Sequence, residues 1–157
     1  MSFGSDTMIR KIENKDRSVF LKLSNMFYDS SAVLHALPQK YHEDAFDELM
    51  RSDAYAQAFI LEKDGKAVGY ALNAETYSRE AGGKVLWLEE LFVLEEYRSC
   101  GIGREYFSYI EKYALDNGFA RIRLEVEDSN VRARSLYEFL GYRPLEYCQM
   151  YKELKNI

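Results

Sequence analysis

Arg98-Ser99-Cys100-Gly101-Ile102-Gly103-Arg104 lies between an apolar run, Leu86-Trp87-Leu88-Glu89-Glu90-Leu91-Phe92-Val93, and a stretch from Glu105 to Leu115. The first flank reads as a strand and the second as a helix. A glycine-containing turn between them leaves backbone N–H groups pointing outward at a helix N-terminus. Those donors and the helix dipole favour a bound anion, above all a phosphate. Gly101 and Gly103 let the backbone approach phosphate oxygens closely, and Arg98 and Arg104 bracket the turn with positive charge. Two other phosphate loops do not fit. A P-loop needs Gly-x-x-x-x-Gly-Lys-Ser/Thr, and neither Lys-Ser nor Lys-Thr follows these glycines. A dinucleotide fingerprint needs a third glycine where Tyr106 stands. On the loop alone, an ordinary strand-to-helix turn remains the alternative.

Working outward, Asn117-Gly118 reads as a C-cap, Ala120 to Val126 as an alternating strand, and Asn130 as the start of a helix that carries Tyr137 and ends at Gly141-Tyr142. Upstream, Met8 to Glu13 reads as a strand after a tail at residues 1–7. Asn14-Lys15-Asp16 caps a helix to Tyr28, with Val19, Phe20, Leu23 and Phe27 at helical spacing. Pro38 starts a second helix to Arg51. Tyr55 to Glu62 and Lys66 to Thr76 form a hairpin about Asp64-Gly65, and Glu80 to Gly83 turns into the strand that ends at Val93. A last hairpin is expected from Tyr142 to Tyr151. The order is strand, two helices, three antiparallel strands, helix, strand, helix, two strands. This is an α/β chain with a single mixed, mostly antiparallel central sheet flanked by helices, in one domain of 157 residues.

Two segments, Leu88 to Gly103 and Leu124 to Tyr142, together resemble the GCN5-related N-acetyltransferase (GNAT) superfamily, whose fold is the acyl-CoA N-acyltransferase fold. The resemblance implies that Arg98, Ser99, Cys100, Gly101, Ile102, Gly103 and Arg104 hold the pyrophosphate of acetyl-coenzyme A. It implies that the backbone of Leu91, Phe92 and Val93 meets the pantetheine arm, Leu91 and Val93 pairing with its amides, and that Asn130 contacts the same arm. Tyr137, seven residues after Asn130, takes the position of a general acid. Asn130 is also a natural helix N-cap, and the two roles are compatible. Cys100 departs from the basic or small residue usual at its place.

Acetyl transfer needs a polarised carbonyl, a neutral amine and a protonated leaving thiolate. Glu89 and Glu90 precede Leu91 and, by strand alternation, point to opposite faces. The pattern is closest to polyamine and small-amine acetyltransferases, in which the first acid lies at the acceptor site; that maps to Glu89. Catalytic candidates are therefore Tyr137, Glu89 and Glu90. A core aromatic for Tyr137 and solvated strand residues for the two acids are the alternatives. The acceptor region is expected near Tyr28, Asp29, His35, His42, Glu43 and Tyr147, with His42 on an amphipathic surface. Nothing has metal-ligand spacing.

The charge balance, 21 basic against 26 acidic residues, argues against a nucleic-acid partner. No apolar run approaches the ~20 residues of a membrane span. Two cysteines and no expected signal peptide point to the cytoplasm. The expected function is an acetyl-CoA-dependent N-acetyltransferase acting on a primary amine of a small molecule. The resemblance makes a homodimer the expected assembly. A catalytically silent acyl-CoA-binding module and a protein N-terminal or lysine acetyltransferase are the competing readings.

Overall fold

The computed structural model describes residues 6–155; the rest of the expected tail, residues 1–5, lies outside them. The chain divides into two compact units, one ending at Glu125 and the other starting at Val126. The first unit holds five strands in the order β1 (Thr7–Lys11), β2 (Ala56–Lys63), β3 (Lys66–Ser78), β4 (Gly83–Val93) and β5 (Phe119–Leu124). All neighbours are antiparallel except β4 and β5, which run parallel. A parallel pair needs a crossover, and α3 (Ile102–Asp116) supplies it.

Helical periodicity puts apolar stripes on the sheet's two faces. From α1 (Arg17–Tyr28) come Phe20 and Leu23, from α2 (Gln39–Arg51) Phe46 and Leu49, and these pack with Ile60, Tyr70 and Phe92. On the opposite face Ile102, Tyr106, Ile110 and Ala114 of α3 pack with Phe59, Leu61, Val68 and Leu86. Side chains alternate along a strand, so Phe92 belongs to one face while Leu91 and Val93 belong to the other.

Several boundaries and one whole element differ from expectation. Residues Asn14–Asp16 form a 3₁₀ turn rather than the first turn of α1. Asp16 caps that turn rather than α1: it accepts from the Glu13 amide in a capping box and forms a two-pronged pair with Arg10 at 2.7 and 2.8 Å. That pairing holds the Asp16 carboxyl below its ordinary pKa. The helix after the loop begins at Ile102, three residues earlier than read, because Gly101 in the left-handed region serves as its N-cap. The expected hairpin from Tyr142 to Tyr151 is absent: no described residue after Phe139 lies in a strand. Extended chain becomes a strand only with a ladder partner, and this segment pairs with none; Pro144 cannot donate at all. The second unit contributes one helix, α4 (Val131–Phe139).

Gly69 fixes the spacing of β3 and β4. A Cβ built there would sit 2.3 Å from the Phe92 carbonyl oxygen, a distance no real contact reaches. Gly69→Ala is expected to destabilise the protein by about 2–3 kcal/mol, read as a lower denaturation midpoint with an unchanged slope. An unchanged midpoint would show that the strands part at little cost.

Candidate active site

Register places the site. β4 pairs with β5 only from Lys84 to Leu88, the last partners being Leu88 and Leu124. On its other side β4 stays paired with β3 as far as Val93. The two parallel strands therefore separate after Leu88, and the C-terminal part of β4 has an edge with no ladder partner among the described residues. The Leu94 amide donates to the Val68 carbonyl at 2.8 Å, toward β3. Strand alternation then turns the polar groups of Phe92 toward β3 and those of Leu91 and Val93 toward the open edge. Such an edge is a template for another extended backbone.

A bulge stands where the strands part. Leu72 pairs with Glu90 and Asn73 with Leu88, so Glu89 is the extra residue. Simple alternation fails here. Leu88 packs on the α3 face, Glu90 faces α1 and α2, and Glu89 is left unpaired and exposed. Surrounding protein, with the charges of Glu125 and Glu90, raises the Glu89 carboxyl above its ordinary pKa. Glu90 is bound instead, accepting from the Tyr28 hydroxyl at Oε1 and from the Tyr70 hydroxyl at Oε2, each at 2.6 Å. Farther along β4, Trp87 carries the Arg123 guanidinium 4.1 Å above its ring.

The strand runs on through a short turn, Glu95–Tyr97, into the loop. Ser99 takes φ 62° and Gly101 φ 87°, so the backbone curls at two left-handed residues before α3. The Glu105 amide is the first to reach a helical acceptor, the Gly101 carbonyl, at 3.0 Å. The amides of Ile102, Gly103 and Arg104 precede it, and no side chain caps them from Gly101. A Cβ at Gly101 or at Gly103 would meet nothing within 4 Å. Free amides under open space at a helix N-terminus fit a phosphate. Ile102 itself is buried in the core and anchors the loop. Arg98 turns back: its Nε donates to the Val93 carbonyl at 2.9 Å and its guanidinium stacks 5.7 Å from the Phe92 ring. It ties the loop to the open edge. Arg104 and Cys100 are exposed.

In the second unit Asn130 caps α4, its Oδ1 accepting from the Ala133 amide at 3.1 Å. Partial burial raises the Tyr137 phenol above its ordinary pKa, which keeps its proton at neutral pH. Its ring lies 6.0 Å from that of Tyr142.

His42 is not the surface residue expected. It is 2% exposed, with Nδ1 2.7 Å from the Ser24 hydroxyl. Residues Ser24 and Tyr70 escaped the reading altogether, because only tertiary packing brings Ser24 to His42 and Tyr70 to Glu90. Among the described residues, no group of His, Cys, Asp and Glu could hold a metal ion, and no helix is long and apolar enough to cross a membrane.

The chain is similar to known acetyltransferases. The thialysine N-epsilon-acetyltransferase of Mus musculus is 29% identical over 154 residues, 90% of this chain and 86% of that protein. The Bos taurus enzyme of the same name is 35% identical over 112 residues, covering 63% of this chain and 65% of its own length. The fold is shared with the aminoglycoside N-acetyltransferase AAC(6')-Iy in complex with CoA, at a TM-score of 0.78 and 20% identity over 99% of both chains. It is shared also with a possible acetyltransferase from Clostridium difficile 630, at a TM-score of 0.82 and 22% identity over 96% of this chain and 99% of that one. The acetyltransferase (GNAT) family matches residues 20–142. The chain therefore belongs to that family, whose acetyl donor is acetyl-CoA.

Proposed function

We propose that the protein acetylates a primary amine of a small molecule by direct attack on acetyl-CoA. The observation that carries this reading is the parting of β4 and β5 after Leu88, directly beside an anion-ready helix N-terminus. Amides of Ile102, Gly103 and Arg104 would hold the pyrophosphate, with Ser99, Cys100 and Gly101 shaping the curl. Leu91 and Val93 would pair with the pantetheine amides, and Asn130 would add a contact to the same arm. The bound donor supplies an acetyl group on a thioester. A backbone N–H on the open edge of β4 polarises its carbonyl.

Glu89 serves as base, taking the proton that the acceptor ammonium must lose before attack. Its raised pKa brings it nearer to the amine's own. Tyr137, protonated at neutral pH, gives the departing thiolate its proton. The two acids on β4 favour a cationic acceptor. The mouse and cattle relatives are named for thialysine, which makes an amine-bearing amino acid a first compound to try. Free Cys100 and Cys148 suit a reducing, cytoplasmic setting.

The test is a panel of amines, diamines and amine-bearing amino acids with acetyl-CoA, following thiol release. Turnover of at least one is expected. Acetyl-CoA binding without turnover of any amine would support the silent module instead. Tyr137→Phe is expected to slow turnover about 10- to 1000-fold, with acetyl-CoA affinity scarcely changed. Wild-type turnover in that variant would return Tyr137 to a packing role.

A further inference from the structure

Glu90 is gripped by groups that the reaction above does not use. Tyr28, the last residue of α1, and Tyr70 on β3 each place a hydroxyl 2.6 Å from one of its oxygens. Ser24, one turn before Tyr28, lies 2.7 Å from His42 Nδ1 on α2. The His42 ring meets the Tyr28 ring edge-on, with centroids 5.5 Å apart. Two phenols, one from a helix and one from a strand, thus hold one carboxylate, and the buried Ser24–His42 pair backs Tyr28. Ser24, His42 and Tyr70 are no more than 3% exposed.

The direction of both protons follows from counting. A carboxylate only accepts, so both phenols donate to Glu90. Burial, with the charge of Glu90 beside them, raises the pKa of both phenols, so the donors keep their protons. Glu90 could pass an amine's proton to either phenol only if that hydrogen bond reversed. Glu89, exposed at the bulge, faces no such constraint.

We propose that Tyr28 and Tyr70 are positioning residues that hold Glu90 as a fixed anionic anchor for an ammonium group of the acceptor, leaving proton removal to Glu89. This rests on the amine-acetyltransferase reading. The attacking nitrogen must be neutral, so the anchor acts chiefly on a second, non-reacting ammonium.

Steady-state kinetics with acetyl-CoA and either 1,3-diaminopropane or propylamine test it. Tyr28→Phe and Tyr70→Phe should each raise KM for the diamine about 3- to 10-fold, with kcat within about threefold. Glu90→Gln should raise it at least as far. Adding Tyr70→Phe to Glu90→Gln should raise it no further, because the phenol acts only through that carboxylate. KM for propylamine should move less than about twofold. If Tyr70→Phe fails to fold, Tyr28→Phe, at the half-buried end of α1, carries the comparison. A diamine KM unmoved in the tyrosine variants overturns the anchor, as does a fall in kcat alone, which would make Glu90 the base. Wild-type protein that binds acetyl-CoA but turns over no amine fails the functional reading and the anchor together; turnover with unmoved KM fails the anchor alone.

Discussion

Gly103→Asp is expected to weaken acetyl-CoA binding by at least about 100-fold, some 2.7 kcal/mol, while leaving the fold intact. Gly103 is the second residue of α3, and a side chain there enters open space. An acidic residue in the first turn suits the helix dipole, so lost binding cannot be put down to a lost helix. The carboxylate would occupy the place assigned to the phosphates and repel them in a partly desolvated cradle. Gly101→Asp is the poorer test, since φ 87° at that position strains any side chain. Calorimetry gives the affinity and a melting curve checks the fold. Unchanged affinity with an unchanged melting temperature would remove the loop from the binding site.

Glu89→Gln should lower kcat by about 100- to 10,000-fold at neutral pH, the range for a positioned general base. An alkyl ammonium with a pKa near ~10 is almost fully protonated there, so the reaction waits on proton removal. The sign of the pH dependence follows from the raised Glu89 pKa. Only the ionised carboxylate accepts a proton, so wild-type turnover should fall as pH drops through that raised value. The amide cannot titrate, and this limb should vanish in the variant. The deficit should shrink at alkaline pH, where the amine is already neutral. A loss of equal size at every pH would make Glu89 a binding group rather than a base.

What could be read from the chain alone follows the range of the forces involved. The loop and its flanks were legible because glycine positions, an apolar run and a helical stripe are local signals. Strand order through β5 followed from turn residues and alternation. The bulge at Glu89 was not legible, because an extra residue shows only against the partner register on β3. Tyr28 and Glu90 lie 62 positions apart, and nothing local ties them. His42 shares helical spacing with Phe46 and Leu49 and so falls on the buried side of α2. Its polarity argued for the surface, and only Ser24, from another helix, resolves the conflict by satisfying it. The expected last hairpin failed for a different reason: no local pattern specified it, and the described residues after Phe139 find no partner strand.

Amide hydrogen exchange with and without acetyl-CoA tests most directly whether the donor lies along the open edge of β4. Leu91 and Val93 should exchange more slowly when acetyl-CoA is bound, together with Ile102, Gly103 and Arg104 at the head of α3, while strand β2, separated from β4 by β3, stays as it was. Tight binding of acetyl-CoA with no added protection at Leu91 and Val93 would contradict the account.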